Sequence, residues 1–403
     1  MRGILLGKRL NRLARAAAVG FSALALAACQ GSSLGSLPGL SVTPDTPPQA
    51  TGDVLGTGSV RVGLLLPLSA GGNATSVATV FRNSAELALA NFPNANVQIL
   101  VKDTAGTSQG GRAAAQSAIA EGAEFLLGPV FAQAVSGAAA TARSSGIPVV
   151  AFSTDTSVAS RGVYLLSFLP AGDVTRIIGY AASQGRRSYA ALIPDNTYGS
   201  VVEAAFRQEV GRAGGRIVSI QRYSASGTDT ADLAAKARTL ADAANQIDAL
   251  FIPAGGGVPA LAVQTLTGAG ANLGNVKLLG TGQWDTAQIK SSPALAGGWY
   301  PGPDENGFQA FAQRYQTTYG TPPPRNATLA YDGVTLAAGL VRSAGQQRFS
   351  LSVLTNRDGF IGIDGLFRFL RNGQNERGLA VYQLTGSGTQ VVSPAPRDFR
   401  SGT

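Results

Sequence analysis

The 403-residue chain contains no histidine, one cysteine and one methionine. Without histidine, Ser-His-Asp and Cys-His catalysis and His-ligated zinc are excluded, and a lone cysteine forms no intrachain disulfide. Serine-lysine chemistry is excluded as well, because no serine stands three positions before Lys8, Lys102, Lys236, Lys277 or Lys290. A G-x-S-x-G match, Gly31-Ser32-Ser33-Leu34-Gly35, falls where no strand or helix pattern exists, so it does not form a nucleophile turn. Charge is scarce too, at 14% of residues. The formal net charge of +9 owes much to Arg2, Lys8, Arg9, Arg12 and Arg15, which no acid balances in that leader. Elsewhere the basic residues are scattered singly or in pairs such as Arg186-Arg187, without interleaved aromatics, so no nucleic-acid partner is expected. No metal, no cofactor and no catalytic residue is expected from this inventory, and the chain reads as non-enzymatic.

What is present begins with the leader. Its basic residues precede an apolar run from Ala16 to Leu26, too short to span a bilayer and right for a signal peptide. The following Leu26-Ala27-Ala28-Cys29 resembles the lipobox of bacterial lipoproteins. That resemblance implies removal of residues 1–28, lipidation of Cys29, a membrane partner through the lipid, and a periplasmic body. Gln30 stands where an aspartate retains such proteins at the inner membrane, which implies the outer membrane instead. From Gln30 to Gly58 the chain is mostly Gly, Ser, Thr and Pro, with Asp45 and Asp53 its only charges. Residues 29–58 are thus expected to form a tether reaching on the order of 30 Å. Residues 393–403 read as a frayed polar tail.

Between these ends, short apolar runs alternate with Ala-rich amphipathic stretches, the pattern of parallel sheets covered by helices. The expected fold class is α/β with two lobes. Strands are expected at Val60–Leu66, Val97–Val101, Glu124–Leu127, Ile147–Phe152 and Val163–Phe168, with helices at about 76–92, 110–121 and 131–144. The rhythm repeats with strands at Ser188–Ile193, Arg216–Tyr223, Asp248–Ile252 and Val276–Leu279 and helices at about 199–213, 230–244 and 258–268. Pro322-Pro323-Pro324 suits a crossing strand, and a helix follows at about 326–343. Gly365–Leu370 and Gly378–Leu384 read as a hairpin around Arg371-Asn372-Gly373. These give a first lobe of residues 59–170 plus 325–392 and a second of 171–324.

Several cues in this order resemble the type I periplasmic binding proteins, the leucine-binding or extracellular ligand-binding receptor group. They are Leu66-Pro67-Leu68 before the loop Ser69–Asn73, Lys102-Asp103-Thr104, Gly128-Pro129 and Gly146-Ile147-Pro148-Val149. Pro194-Asp195-Asn196-Thr197-Tyr198-Gly199 and Ala330-Tyr331-Asp332 complete the series, which spans roughly residues 60 to 385. The resemblance implies a hinged body, each lobe a mostly parallel sheet flanked by helices, with a small-molecule ligand between the lobes at the carboxyl ends of the strands. The implied ligand residues are Asn73, Phe131, Gln133, Ser153, Thr154, Asp155, Asp173, Tyr198, Gly256, Gln283 and Trp284.

Departures from amino-acid binders of that group are specific. Where those place a serine and a threonine on the ligand carboxylate, this chain has Ala132 and Asp155. A buried Asp155 would repel a carboxylate. The second-lobe acid for the ligand amine is replaced by Gln283 or Trp284, whereas Asp173 matches the other amine-binding acid. Each residue also has a plainer reading: Tyr198 packing between lobes, Asp173 and Asp155 capping, Trp284 filling a core, and Gly255–Gly257 making a tight strand-to-helix turn.

Two functions follow from the resemblance. The first is a lipid-tethered solute receptor for an inner-membrane ABC permease of the branched-chain amino-acid class. The alternative is an outer-membrane regulatory lipoprotein similar to penicillin-binding protein activators, whose partner is a peptidoglycan synthase. Gln30 favours the second, and the lack of a helical-repeat region before the α/β body disfavours it.

Overall fold

The computed structural model describes residues 48–225 and 230–399. The leader, Cys29 and Gln30 lie outside the described residues. The first sheet is built from β1 (Val54–Leu55), β2 (Val60–Leu66), β3 (Val97–Asp103), β4 (Ala123–Leu127), β5 (Val149–Ala151) and β6 (Val163–Leu165), in the order β1-β3-β2-β4-β5-β6. All its pairs are parallel except β1 with β3. Parallel strands are covered on both faces by their crossover helices, which is why β2 reads Val-Arg-Val-Gly-Leu-Leu-Leu and is buried almost throughout. Helix α1 (Gly72–Ala90) packs on one face, and α2 (Ser108–Ala120) with α3 (Ala132–Ser144) on the other. The α2–α3 approach is very close: a Cβ on Gly137 would stand 1.9 Å from the Ser108 carbonyl oxygen, so the Gly and Ala content here is a packing requirement.

Helix α4 (Pro170–Ser183) opens the second lobe. It is followed by β7 (Ser188–Asp195), α5 (Thr197–Arg212), β8 (Arg216–Ser224), α6 (Thr230–Ala241), β9 (Ala249–Phe251), α7 (Val258–Gly268), β10 (Lys277–Leu279), α8 (Ala287–Lys290) and β11 (Trp299–Gly302). The chain then returns through α9 (Glu305–Tyr319), α10 (Ala327–Ser343), α11 (Leu351–Leu354) and the small sheet β12 (Phe360–Gly362), β13 (Gly365–Phe369) and β14 (Asn375–Arg377). It ends in β15 (Ala380–Leu384) and β16 (Thr389–Ser393), which join the second sheet in the order β16-β15-β11-β10-β9-β7-β8. The expected two-lobe α/β architecture is what forms.

Its assignment of segments to lobes differs from expectation in three places. The proposed hairpin of 365–370 with 378–384 does not exist: β13 pairs with β12 and β14, while β15 crosses over to pair antiparallel with β11. Alternating apolar residues show that a strand is half-buried, not which edge it completes. Residues 380–392, placed with the first lobe, therefore belong to the second sheet. Helix α9, placed in the second lobe, puts Phe311 and Tyr315 into the first lobe's core, so the return crossing is at 302–305 and not at the triple proline. Finally, the end of the supposed tether is bound, since Val54 and Leu55 pair with Leu100 and Ile99. The tail is engaged as well, with the Phe399 ring 4.3 Å from the Arg368 guanidinium.

Three chain passages connect the lobes, at 165–170, 302–305 and 377–380, and they are bonded to one another. Asn375 donates its amide to the carbonyls of Leu165 at 2.7 Å and Ser167 at 2.8 Å, and Arg377 Nε donates to Ser167 at 3.0 Å. From the second lobe, Arg176 Nε donates to the Leu379 carbonyl at 2.7 Å, and the Tyr382 hydroxyl donates to Pro303 at 2.8 Å. Beside them lies a buried charged cluster. Arg325 pairs with Asp364 at 2.9 Å, Thr328 donates to the same carboxylate, and Asp332 accepts from the Ile363 amide at 2.8 Å. Burial, with the Asp364 charge nearby, pushes the Asp332 carboxyl up to about 7.

The bound end of the tether is held by a second buried pair. Lys102 Nζ lies 2.7 Å from Glu121 Oε1 and donates to the Thr51 carbonyl at 2.8 Å, while Thr51 donates its amide and hydroxyl to Glu121. Burial would raise the Glu121 carboxyl, but the bonds from Lys102 and Thr51 outweigh it and bring it from the ordinary 4.5 to about 2. The folded state thus gains stability above about pH 4.5 and loses it as pH falls toward 2. Glu121→Gln strands Lys102 without its partner. Urea unfolding of this variant at pH 7 is expected to show a loss of about 3 kcal/mol, with the acid dependence in that window flattened.

Candidate functional site

The carboxyl ends of β7, β8 and β9 converge on one cavity of about 310 Å³. Strand β7 ends at Pro194-Asp195, and Asn196 caps α5 by accepting the Gly199 amide at 2.8 Å. This cap fixes the first turn of α5 and places Tyr198, whose hydroxyl lies 2.9 Å from Thr281 Oγ1. Thr281 is fully buried at the end of β10 and caps the short turn Gly282–Trp284. On the other side of that turn, Asp173 in the first turn of α4 accepts the Gly282 amide at 2.9 Å. Three separate loops are thereby tied into one wall. Tyr223 and Ser224 at the end of β8 also line the cavity, as do Thr230, Leu233, Val258 and Gln283.

Among the described residues, those lining the cavity carry no charged side chain. Burial pushes the Tyr198 hydroxyl up to about 12 against the opposing bond to Thr281, and burial alone takes Tyr223 to about 12. Both phenols are therefore protonated hydrogen-bonding groups at neutral pH. Asp173, behind the wall, is pushed up to about 7 by burial, partly offset by the Gly282 amide.

The sequence candidates separate into groups. Tyr198 and Gln283 meet in the cavity, and Gly255 lines it beside Gly256, which turns the chain at φ +60 before α7. Asp173 acts on the same wall through Gly282. Trp284, expected to face a ligand, is 0% exposed. Its Nε1 donates to the Ile252 carbonyl at 3.1 Å, and a Cβ on Gly280 would stand 2.1 Å from its ring, so it fills the core. The first-lobe candidates do not line this cavity. Gln133 donates to the Gly106 carbonyl at 2.7 Å, and Phe131 packs over Gly106 while remaining exposed. Asp155 is exposed, not buried, and caps the turn at 156–158 by accepting the Ser157 amide; the Ser157 hydroxyl and then that amide hold its carboxyl below the ordinary range. Ser153 accepts the Asp155 amide, while Thr154 and Asn73 are exposed, the latter in the first turn of α1.

Sequence reasoning did not single out Tyr223 or Asn196. Both signals were available: Tyr223 closes an expected strand at its carboxyl end, and Asn196 precedes an expected helix.

The sequence model of the periplasmic binding protein family matches residues 59–389. No curated protein matches the chain. Among solved structures, a candidate branched-chain amino acid ABC transporter from Rhodospirillum rubrum superposes with a TM-score of 0.73 at 20% identity, covering 83% of this chain and 99% of that one. An ABC-type branched-chain amino acid transporter from Rhodopseudomonas palustris CGA009 gives 0.67 at 15% identity, covering 84% and 96%. A solute binding protein of an ABC transporter from Rhodopseudomonas palustris BisB5, in complex with 3,4-dihydroxy benzoic acid, gives 0.58 at 19% identity, covering 84% and 98%. At these identities the likeness is one of fold.

Asp173 generates a pH test. Its folded carboxyl titrates near 7 and its unfolded one near 3.8, so the folded state binds the extra proton between those values. Its contribution to stability is full below about pH 3.8 and is lost as pH rises through 7. Asp173→Asn keeps an acceptor for Gly282 and removes the titration. Chemical unfolding at several pH values is expected to show less decline for the variant than for the parent between pH 4 and 7.

Proposed function

Because the chain belongs to the periplasmic binding protein family, we propose that it is a receptor that binds a small solute and presents it to the permease of an ABC importer. The carrying observation is the cavity at the carboxyl ends of β7, β8 and β9, on one of two lobes that three bonded chain passages join. A cavity of this kind offers a ligand one prepared wall, and closure about the passages would bring the first-lobe loops holding Phe131, Ser153 and Asp155 onto it. The structural neighbours named for branched-chain amino-acid transport, and the one holding 3,4-dihydroxy benzoic acid, support solutes with an apolar or cyclic part. Thermal shifts of the full chain against amino acids, small peptides, muropeptides and aromatic acids provide the test. One chemical class is expected to give a saturable rise, since ligand at 100 times its Kd adds about 2.7 kcal/mol. No shift with any class at millimolar concentration would sink this reading.

A periplasmic location fits the family, and among the described residues no helix is long and apolar enough to cross a membrane. The proposal adds a lipid anchor at Cys29, supported by the lipobox-like Leu26-Ala27-Ala28-Cys29. Labelling cells with a palmitate analogue is expected to mark the parent chain and not Cys29→Ser. Separation of the two membranes then reads Gln30: label in the inner membrane supports delivery to a permease. Label confined to the outer membrane would count against it and favour contact with a peptidoglycan synthase.

A further inference from the structure

A second cavity, of about 610 Å³, lies in the first lobe and shares no lining residue with the second-lobe cavity. It runs along α10, which contributes Asp332, Thr335, Leu336, Gly339, Leu340 and Ser343, the spacing of one helix face over about 16 Å. Phe92 just beyond α1, Val353 of α11 and Phe360 of β12 close it with further apolar surface. Most polar side chains on these walls are accounted for. Ser343 donates to the Gly339 carbonyl at 2.8 Å, Ser352 Oγ lies 3.1 Å from Ser350 Oγ, Asn356 accepts the Asp358 amide at 3.2 Å, and Arg342 is exposed. Asp332 and Thr335 are different. Asp332 is 2% exposed and its Oδ2 is buried without a hydrogen-bond partner among the described residues, as is Thr335 Oγ1. The two residues stand one turn apart on α10, with Cβ atoms about 5–6 Å from each other, a gap that one donor group can bridge.

Asp332 sets the sign of that donor. Its Oδ1 is taken by the Ile363 amide, and the charged groups that act on it are Asp364, in the β12–β13 turn, and Arg377, at the end of β14. Arg325 is paired with Asp364. After burial, the Asp364 charge is what raises this carboxyl most, and it acts more strongly than the opposing Arg377. An added cation is therefore favoured at Oδ2 and an anion repelled. We propose that this groove is a second ligand site, for a primary amine on an unbranched apolar body, with the ammonium bonded to Asp332 Oδ2 and Thr335 Oγ1 and the body lying along Leu336 and Leu340. The site goes beyond the solute-receptor reading and is independent of it, since no residue assigned to solute binding takes part.

Titration calorimetry of the full chain in lipid nanodiscs, with empty nanodiscs as the blank, tests this with octylamine, 1-octanol and octanoate against the parent, Asp332→Asn and Thr335→Val. In the parent, octylamine is expected to bind about five- to tenfold tighter than 1-octanol, the margin of a charged over a neutral hydrogen bond, and octanoate weakest. Asp332→Asn keeps an acceptor for Ile363 and should weaken octylamine about 10- to 100-fold. Thr335→Val removes a hydroxyl that has no partner, so the unliganded fold should be as stable as the parent's while octylamine weakens about three- to tenfold. Thermal unfolding checks both variants, and Thr335→Val carries the test alone should Asp332→Asn not fold. Octylamine affinity of the parent should also rise as pH increases through 7, where Asp332 ionises. Equal affinity for octylamine and 1-octanol, tighter binding of octanoate, octylamine binding unmoved by Thr335→Val, or no binding at millimolar concentration would each overturn the site while leaving the solute receptor standing.

Discussion

Where the chain passes between lobes, the carbonyls of Leu165 and Ser167 leave one sheet before the next can receive them, and the protein must satisfy them with side chains. Asn375 and Arg377 do this from the end of β14. An unpaired buried carbonyl costs about 1–3 kcal/mol, so these bonds hold the first and third passages side by side. The rest of the layout follows from that constraint. With β14 held beside the end of β6, the chain emerging at Gly378 has only the second sheet ahead of it, and β15 completes that sheet against β11. Arg377 also lies over the Phe168 ring at 4.5 Å, so the same residue that accounts for the backbone covers the first passage with its guanidinium face.

The polar residues at the strand ends serve mainly to brace loops. Gln133 holds Gly106, Asp155 caps its own turn, Asp173 holds Gly282, and Thr281 both caps a turn and meets Tyr198. Each bond removes a group from the set a ligand can reach and makes the remaining wall more rigid. What is left in the second lobe is apolar surface, two protonated phenols and amides. Of the sequence's departures from amino-acid binders, Gln283 is the one that lines this cavity, where it stands beside Tyr198.

Much of the fold was legible because parallel strands buried on both faces are written as continuous apolar runs. Val60–Leu66 and Ser188–Ile193 are such runs, and the helix expected at 326–343 is α10, Ala327–Ser343. The errors occurred where periodicity carries no address. Helix α9 is amphipathic, and nothing in its spacing says that Phe311 and Tyr315 face α1 and α10 rather than the second sheet. The same holds for Val54-Leu55, too short to announce a strand until β3 offers it an edge. In the site, Tyr198 and Gln283 were legible from their places after strands. Trp284 was misplaced because a loop position near a strand end does not reveal whether Gly280 leaves room for the ring to turn inward.

By itself the sequence determined the chemistry that is available. Lacking histidine and any second cysteine, it excludes whole classes of mechanism, and its apolar rhythm requires an α/β body covered by helices. The tertiary structure alone decided which elements share a lobe and that the surroundings of Asp173 and Asp332 push their carboxyls up to about 7. Those properties depend on contacts between residues far apart in the chain, such as Tyr198 with Thr281 and Asp173 with Gly282. Local spacing is silent about them because burial and hydrogen-bond satisfaction are sums over neighbours that only folding brings together.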